Sequence, residues 1–280
     1  MNMNSNQENK ITLISFGSGS SGNCYWLSTK EGTIMIDAGV GIRTLKRRMK
    51  EFGVSLEGVS ALFVTHDHTD HIKAIGSIGE KYKVPVYATE TVQDSPRMLR
   101  SYHLRRELRS SARTLLKEQP VEVGPFRVTA FEVPHDGLDN VGYQVEVAGQ
   151  IFCFVTDIGE ITPLAAGYMN RANYLILESN YDEAMLRTGS YPEELKKRIA
   201  GPRGHLCNRD TAEFIASRVG GPLKHVWLCH LSDDNNRPEI ALQTVERALQ
   251  VYGYQRGVEV EVDALKRQVA MKFEIDLNAE

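Results

Sequence analysis

The 280 residues carry 33 Lys+Arg against 36 Asp+Glu, a net charge of −3, with 41% hydrophobic and 25% charged residues. These ordinary globular proportions exclude a wholly disordered chain and a coiled-coil rod. A pI near 6.3 excludes a protein coated in basic charge, so any nucleic-acid contact must come from a local patch.

The opening MNMNSNQENK is polar and lacks an apolar signal core, so residues 1–10 read as a disordered tail and 11–280 as a single domain. Short apolar runs and helical periodicity then alternate. Strands are predicted at 11–16, 24–28, 33–37, 61–65, 84–88, 126–133, 141–147, 151–156, 174–178, 224–229 and 268–274. Helices are predicted at 42–52, 71–82, 95–109, 161–169, 192–200, 208–219 and 237–252, with Gly53 stopping the first and Gly220-Gly221-Pro222 the sixth. Short connections between 126 and 156 suggest an antiparallel meander, and the interleaving elsewhere points to a layered α/β sandwich. No apolar run is long enough to span a bilayer, so no membrane partner is expected. Cys24, Cys153, Cys207 and Cys229 lack CxxC spacing and read as reduced thiols of a cytoplasmic protein, two of them on apolar strands.

Gly17 to Gly22 fits G-x-G-x-x-G, but the aromatic, strand-like Cys24-Tyr25-Trp26-Leu27 follows where a dinucleotide fingerprint needs a helix. Two readings remain: a tight turn between antiparallel strands, or a loop whose backbone N–H groups cradle an anion.

His66-Asp67-His68-Thr69-Asp70-His71 begins where the buried-type strand 61–65 ends. Other metal-binding residue types share that placement: Asp37, His135, Asp157, Glu178 and His230 all stand at the C-terminal ends of predicted strands. Gathering so many ionisable groups without a cation is costly, and a divalent metal resolves that cost. Imidazole and carboxylate suit zinc, manganese or iron, and the lack of cysteine ligands argues against a structural zinc site.

Together these residues resemble the metallo-β-lactamase superfamily, which implies an αββα four-layer sandwich over most of the chain. The resemblance implies two divalent metal ions, with His66, His68 and His135 on one, Asp70, His71 and His230 on the other, and Asp157 bridging them. Asp37 would orient a ligand without binding metal itself. Histidine at position 68 is similar to the hydrolases, whereas the diiron flavoprotein branch usually has glutamate there. Gly204-His205-Leu206-Cys207-Asn208 resembles the GHLSN element of the YycJ/WalJ-type exonucleases, with cysteine where serine is usual, and His230 to Asn236 resembles their HLSxxNN run. Glu178 and His205 look like the pair that assists leaving-group protonation in tRNase Z-like relatives. With 72 residues between Asp157 and His230, the large insert of RNase J-type enzymes has no room.

The expectation is a dinuclear phosphodiesterase acting on nucleic acid, a DNA exonuclease of 5′-to-3′ polarity by resemblance, with a role in DNA repair. Asp70 orients the attacking water, His205 backed by Glu178 protonates the leaving oxygen, and Ser18, Ser20, Asn208 and Asn236 contact flanking phosphates. A stretch holding Arg97, Arg100, Arg105, Arg106, Arg109, Arg113 and Lys117, with Tyr102 and His103, reads as a solvated helix face or a nucleic-acid patch. The competing readings are a small-molecule hydrolase, thioesterase or lactonase, on the same metals, and a non-catalytic metal-binding protein. Oligomeric state leaves no trace in the sequence.

Overall fold

The computed structural model describes residues 10–101 and 110–277. Its contacts divide the chain into two compact units. Unit 1 runs to Leu115 and includes Glu122–Phe126 and the chain from Gln268; unit 2 holds Leu116–Val121 and Arg127–Arg267. No change of composition marks where the chain passes from one to the other.

Unit 1 is built on β1 (Lys10–Gly17), β2 (Cys24–Thr29), β3 (Gly32–Ile36), β4 (Ala61–Phe63), β5 (Val86–Ala88), β6 (Ala112–Thr114) and the late β14 (Met271–Asp276). The sheet order is β14-β1-β2-β3-β4-β5-β6. It is antiparallel from β14 to β3 and parallel from β3 to β6. The helices of unit 1 are α1 (Ile42–Glu51), α2 (Thr69–Ile72), α3 (Ile75–Tyr82), α4 (Glu90–Gln93) and α5 (Pro96–Ser101). Helix α1 shows why the pattern folds: Leu45 and Met49, four residues apart, are buried, while Arg43, Lys46, Arg47 and Lys50 lie outside that stripe. Leu45 and Met49 join Ile75, Ile78, Met98 and alternate residues of β1 to β5 in one core.

The second sheet, which belongs to unit 2 except for Glu122, Val123 and Phe126, holds β7 (Pro120–Val123), β8 (Phe126–Glu132), β9 (Val141–Val147), β10 (Gln150–Val155), β11 (Tyr174–Glu178), β12 (His225–Cys229) and β13 (Glu261–Ala264). The order is β13-β12-β11-β10-β9-β8-β7. Strands β10 to β13 are parallel, and β8, β9 and β10 form the expected antiparallel meander. Helices α6 (Pro163–Met169), α7 (Glu183–Thr188), α8 (Glu193–Ile199), α9 (Asn208–Ala216) and α10 (Pro238–Val251) complete it. In α10, Ala241, Val245 and Leu249 recur every four residues and enter the core formed with Cys153, Val155, Leu175, Leu177, Val226 and Leu228.

All eleven strands predicted from sequence are present, and β6, β7 and β13 were missed. Those three are sheet edges, half-exposed and short, so they lack the apolar run that marks an inner strand. The predicted helix 71–82 is α2 and α3, broken between Ile72 and Ile75. Of the predicted 95–109 helix, Pro96–Ser101 is α5 and residues 102–109 lie outside the described residues, as does the tail 1–9.

Candidate metal centre and proton donor

In unit 1 the H-x-H-x-D-H run leaves the C-terminal end of β4 and enters α2. Its backbone is knitted to the neighbouring strand ends: Asn23 N–H donates to the Asp70 carbonyl (2.7 Å) and Ala38 N–H to the His71 carbonyl (2.8 Å). A Cβ on Gly39 would lie 1.5 Å from the Asp70 carbonyl oxygen, so only glycine permits this approach. Asp37, at the end of β3, is fully buried and holds a left-handed φ of 58°. Its Oδ1 accepts from Thr65 N–H (2.8 Å); its Oδ2 accepts from the Thr65 hydroxyl (2.8 Å) and from His71 Nδ1 (2.7 Å). The Thr65 oxygen accepts in turn from His66 Nδ1 (2.9 Å). The His66 ring lies 4.5 Å from that of His68 and 4.1 Å from that of His71, centroid to centroid. Asp70 Oδ2 stands 3.7 Å from His71 Nε2 and is partly exposed. Burial pushes the Asp37 carboxyl above its ordinary value; His71 and the Thr65 bonds oppose this without overturning it.

In unit 2 the fully buried Glu178, last residue of β11, plays the corresponding part. Its Oε1 accepts from His205 Nδ1 (2.7 Å) and His230 Nδ1 (2.9 Å), and its Oε2 from the backbone N–H of Ile158 (2.8 Å) and Leu206 (3.2 Å). Burial pushes this carboxyl up, but the charge of His205 and the hydrogen bonds from both histidines outweigh it and hold the group below its ordinary value. Burial likewise disfavours charge on His205, yet Glu178 prevails and raises its pKa. Asp157, just beyond β10, has Oδ1 3.0 Å from His230 Nδ1 and 3.7 Å from His135 Nε2. Asp157, Glu178, His205 and His230 converge so that one ligand atom from each lies within 4.8 Å of the others. His230, like Asp37, is a non-glycine residue at a strand end with positive φ (52°). His135 Nδ1 donates to the Gly204 carbonyl (2.8 Å).

The donor chemistry fits a divalent cation. In His66, His71, His135 and His230 the Nδ1 hydrogen is given to an oxygen, which leaves the lone pair on Nε2, the arrangement of metal-ligating histidines. The His135 Nε2 lone pair faces carboxylate oxygens of Asp136 (3.5 Å) and Asp157 (3.7 Å), a set that calls for positive charge. Asn23 Nδ2 stands 2.9 Å from His71 Nε2, so that amide must turn aside when a cation takes the lone pair.

Of the four residues expected at flanking phosphates, Ser18, Asn208 and Asn236 are buried and hydrogen-bonded within the protein. Ser18 is buried with its hydroxyl 2.9 Å from that of Tyr25. Asn208 and Asn236 are buried and bonded to each other; Asn208 also accepts from the Ser179 hydroxyl, and Asn236 donates to the carbonyls of Ser179 and Asn180. They tie the loops after β11 and β12 together, and only Ser20 is exposed. The glycine–serine loop is the tight turn: Gly22 N–H bonds the Gly19 carbonyl (2.8 Å) between antiparallel β1 and β2. Of the basic stretch, Arg97 lies 3.6 Å from the buried Asp67, and Lys117 pairs with Glu132 and Asp139. Arg105, Arg106, Arg109, Tyr102 and His103 lie outside the described residues. All four cysteines are buried, three of them on strands. Cys207 caps α9, its Sγ accepting from Asp210 N–H at 3.4 Å.

Sequence reasoning missed Thr65, Asn23, Gly39 and Asp136, whose parts depend on which strand ends meet. Thr65, immediately before the motif, was the one signal within reach.

Residues 32–228 match the family described as "Beta-lactamase superfamily domain", and the chain belongs to that superfamily. The fold is the α/β sandwich class of the metallo-β-lactamases. Within the superfamily the chain is 33% identical over 246 residues to "Exodeoxyribonuclease YycJ" of Bacillus anthracis, covering 88% of this chain and 91% of that one. It is 31% identical over 245 residues to "Exodeoxyribonuclease WalJ" of Streptococcus pneumoniae, covering 88% and 90%. Among solved structures, the metallo-β-lactamase fold protein YhfI of Bacillus subtilis superposes with a TM-score of 0.69 at 14% identity, over 95% of this chain and all of that one. No described helix is long and apolar enough to cross a membrane.

Proposed function

We propose that this protein is a metal-dependent phosphodiesterase acting on nucleic acid, a DNA exonuclease of 5′-to-3′ polarity that serves DNA repair. The observation that carries the reading is the Glu178 carboxylate shared between His205 and His230, which joins a proton donor to a metal ligand through one buried acid. The names of the YycJ and WalJ relatives support the substrate class.

The ligand assignment follows the superfamily: His66, His68 and His135 for one cation, Asp70, His71 and His230 for the other, and Asp157 for both. Two divalent ions held there, zinc, manganese or iron, would supply positive charge for the phosphoryl oxygens and lower the pKa of a water. Asp37 and Thr65 hold the rings of His66 and His71, and Asp70 accepts a hydrogen bond from the attacking water. His205, partly exposed and with its pKa raised by Glu178, gives its Nε2 proton to the departing sugar oxygen. Ser20 contacts a flanking phosphate.

The test is incubation with Mn²⁺ and end-labelled single- and double-stranded DNA and RNA of one sequence. Stepwise mononucleotide release from DNA 5′ ends is expected, absent in His68→Ala and weakening steeply with salt. No turnover by wild type, or equal turnover by His68→Ala, removes the reading. A neutral thioester or lactone, the competing substrate class, would be turned over with little salt dependence.

A further inference from the structure

Arg198 to His205, the end of α8 and the loop after it, grips the His135–Asp136 turn by three separate handles. Arg198 Nε holds the Asp136 carboxylate (2.7 Å), with its Nη2 on the same oxygen. Arg203 gives both Nε (3.2 Å) and Nη2 (3.0 Å) to the His135 carbonyl, and the Gly204 carbonyl takes the His135 ring hydrogen (2.8 Å). The next residue is His205, whose ring reaches Glu178 and through it His230. The loop is seated by close backbone approach. A Cβ on Gly204 would lie 2.2 Å from the carbonyl oxygens of Arg198 and Ile199, and one on Gly159 would lie 2.3 Å from that of Pro202. His205 N–H also bonds the Ile199 carbonyl (2.8 Å).

We propose that Arg198 and Arg203 are positioning residues that couple the metal ligand His135 to the proton donor His205, so that cation binding and leaving-group protonation are set by one rigid segment. The inference rests on the phosphodiesterase reading above. Neither arginine meets substrate in this role. Each carries charge-assisted hydrogen bonds that fix where a ring stands, and such supporting bonds are worth about 10–100-fold in metal affinity or activity.

The test takes the full chain as wild type, Arg203→Ala, Arg203→Lys and Arg198→Ala. Mn²⁺ and Zn²⁺ affinities are measured by competition with a chromogenic chelator. At saturating metal, kcat is then compared on a p-nitrophenyl phosphodiester, whose phenolate leaves without a proton, and on a dinucleotide, whose sugar oxygen needs one. Each alanine variant is expected to bind metal about tenfold more weakly and to lose about tenfold more on the dinucleotide than on the nitrophenyl ester. Arg203→Lys, which keeps one donor, recovers part of both, and it serves as the test variant if Arg203→Ala does not fold. Wild-type metal affinity with an unchanged substrate ratio overturns the inference, as does equal loss on both substrates at unchanged affinity. A wild type that takes up no metal and cleaves neither ester removes the functional reading and this inference together. An active wild type matched by its arginine variants overturns the inference alone.

Discussion

Asp37 and Glu178 hold equivalent posts, each a fully buried carboxylate at a strand end that accepts from at least one histidine ring, yet they settle on opposite sides of their ordinary pKa. Asp37 has one histidine and one threonine, and burial wins. Glu178 has two histidines and two backbone N–H groups, and the partners win. At equal burial, the donors that tertiary structure delivers to an acid set the direction in which its pKa moves. The acid of unit 1 thus holds the His71 ring and Thr65, whereas the acid of unit 2 holds two histidine rings and raises the pKa of one of them, His205.

The largest expected effect falls on the rings that Asp37 and Thr65 hold in unit 1. His66→Ala and His71→Ala should each lower nuclease kcat by about 10³-fold or more, and the double variant should be no worse than either single, because groups that act as a unit are non-additive. Multiplying losses, read from single-turnover rates, would mean that the two rings contribute independently.

The buried acids themselves come next. In chelator-treated protein, Glu178→Gln should cost about 3 kcal/mol at neutral pH and Asp37→Asn about 1 kcal/mol, measured by urea unfolding. Their pH trends should oppose. Glu178 is held below its unfolded value, so its contribution is present above that value and fades as pH falls through the folded one. Asp37 is raised, so its contribution is present below the unfolded value and fades as pH rises through the folded one. Parallel trends would erase the contrast between the two acids.

The smallest effect concerns a helix start in unit 2. Burial pushes the Cys207 thiol up to about 11, and a neutral thiol is a weak cap acceptor. Cys207→Ser should restore a hydroxyl cap to α9 and raise stability by about 0.5 kcal/mol, seen as a higher Tm with kcat unchanged.

The fold was legible wherever strands are interior. β4, β10, β11 and β12 announce themselves as continuous apolar runs because they are buried on both faces, and edge strands β6, β7 and β13 are silent because half their surface meets water. The placement of the ligand-type residues was legible because a strand end is a fixed place in sequence, and His66, Asp157 and His230 stand just beyond β4, β10 and β12. The loop-closing hydrogen bonds of Asn208 and Asn236 were not legible, because asparagine serves equally to bind a phosphate and to close a loop.

By itself, then, the sequence determined which residue types stand at the ends of which strands, through periodicity and the H-x-H-x-D-H order, since both are local properties of the chain. Only the tertiary structure decided which acid holds which ring, that Glu178 is shared while Asp37 is not, and that Arg203 reaches back to His135. Those choices arise from contacts between residues tens of positions apart, set by sheet order and close glycine approaches that leave no periodic mark.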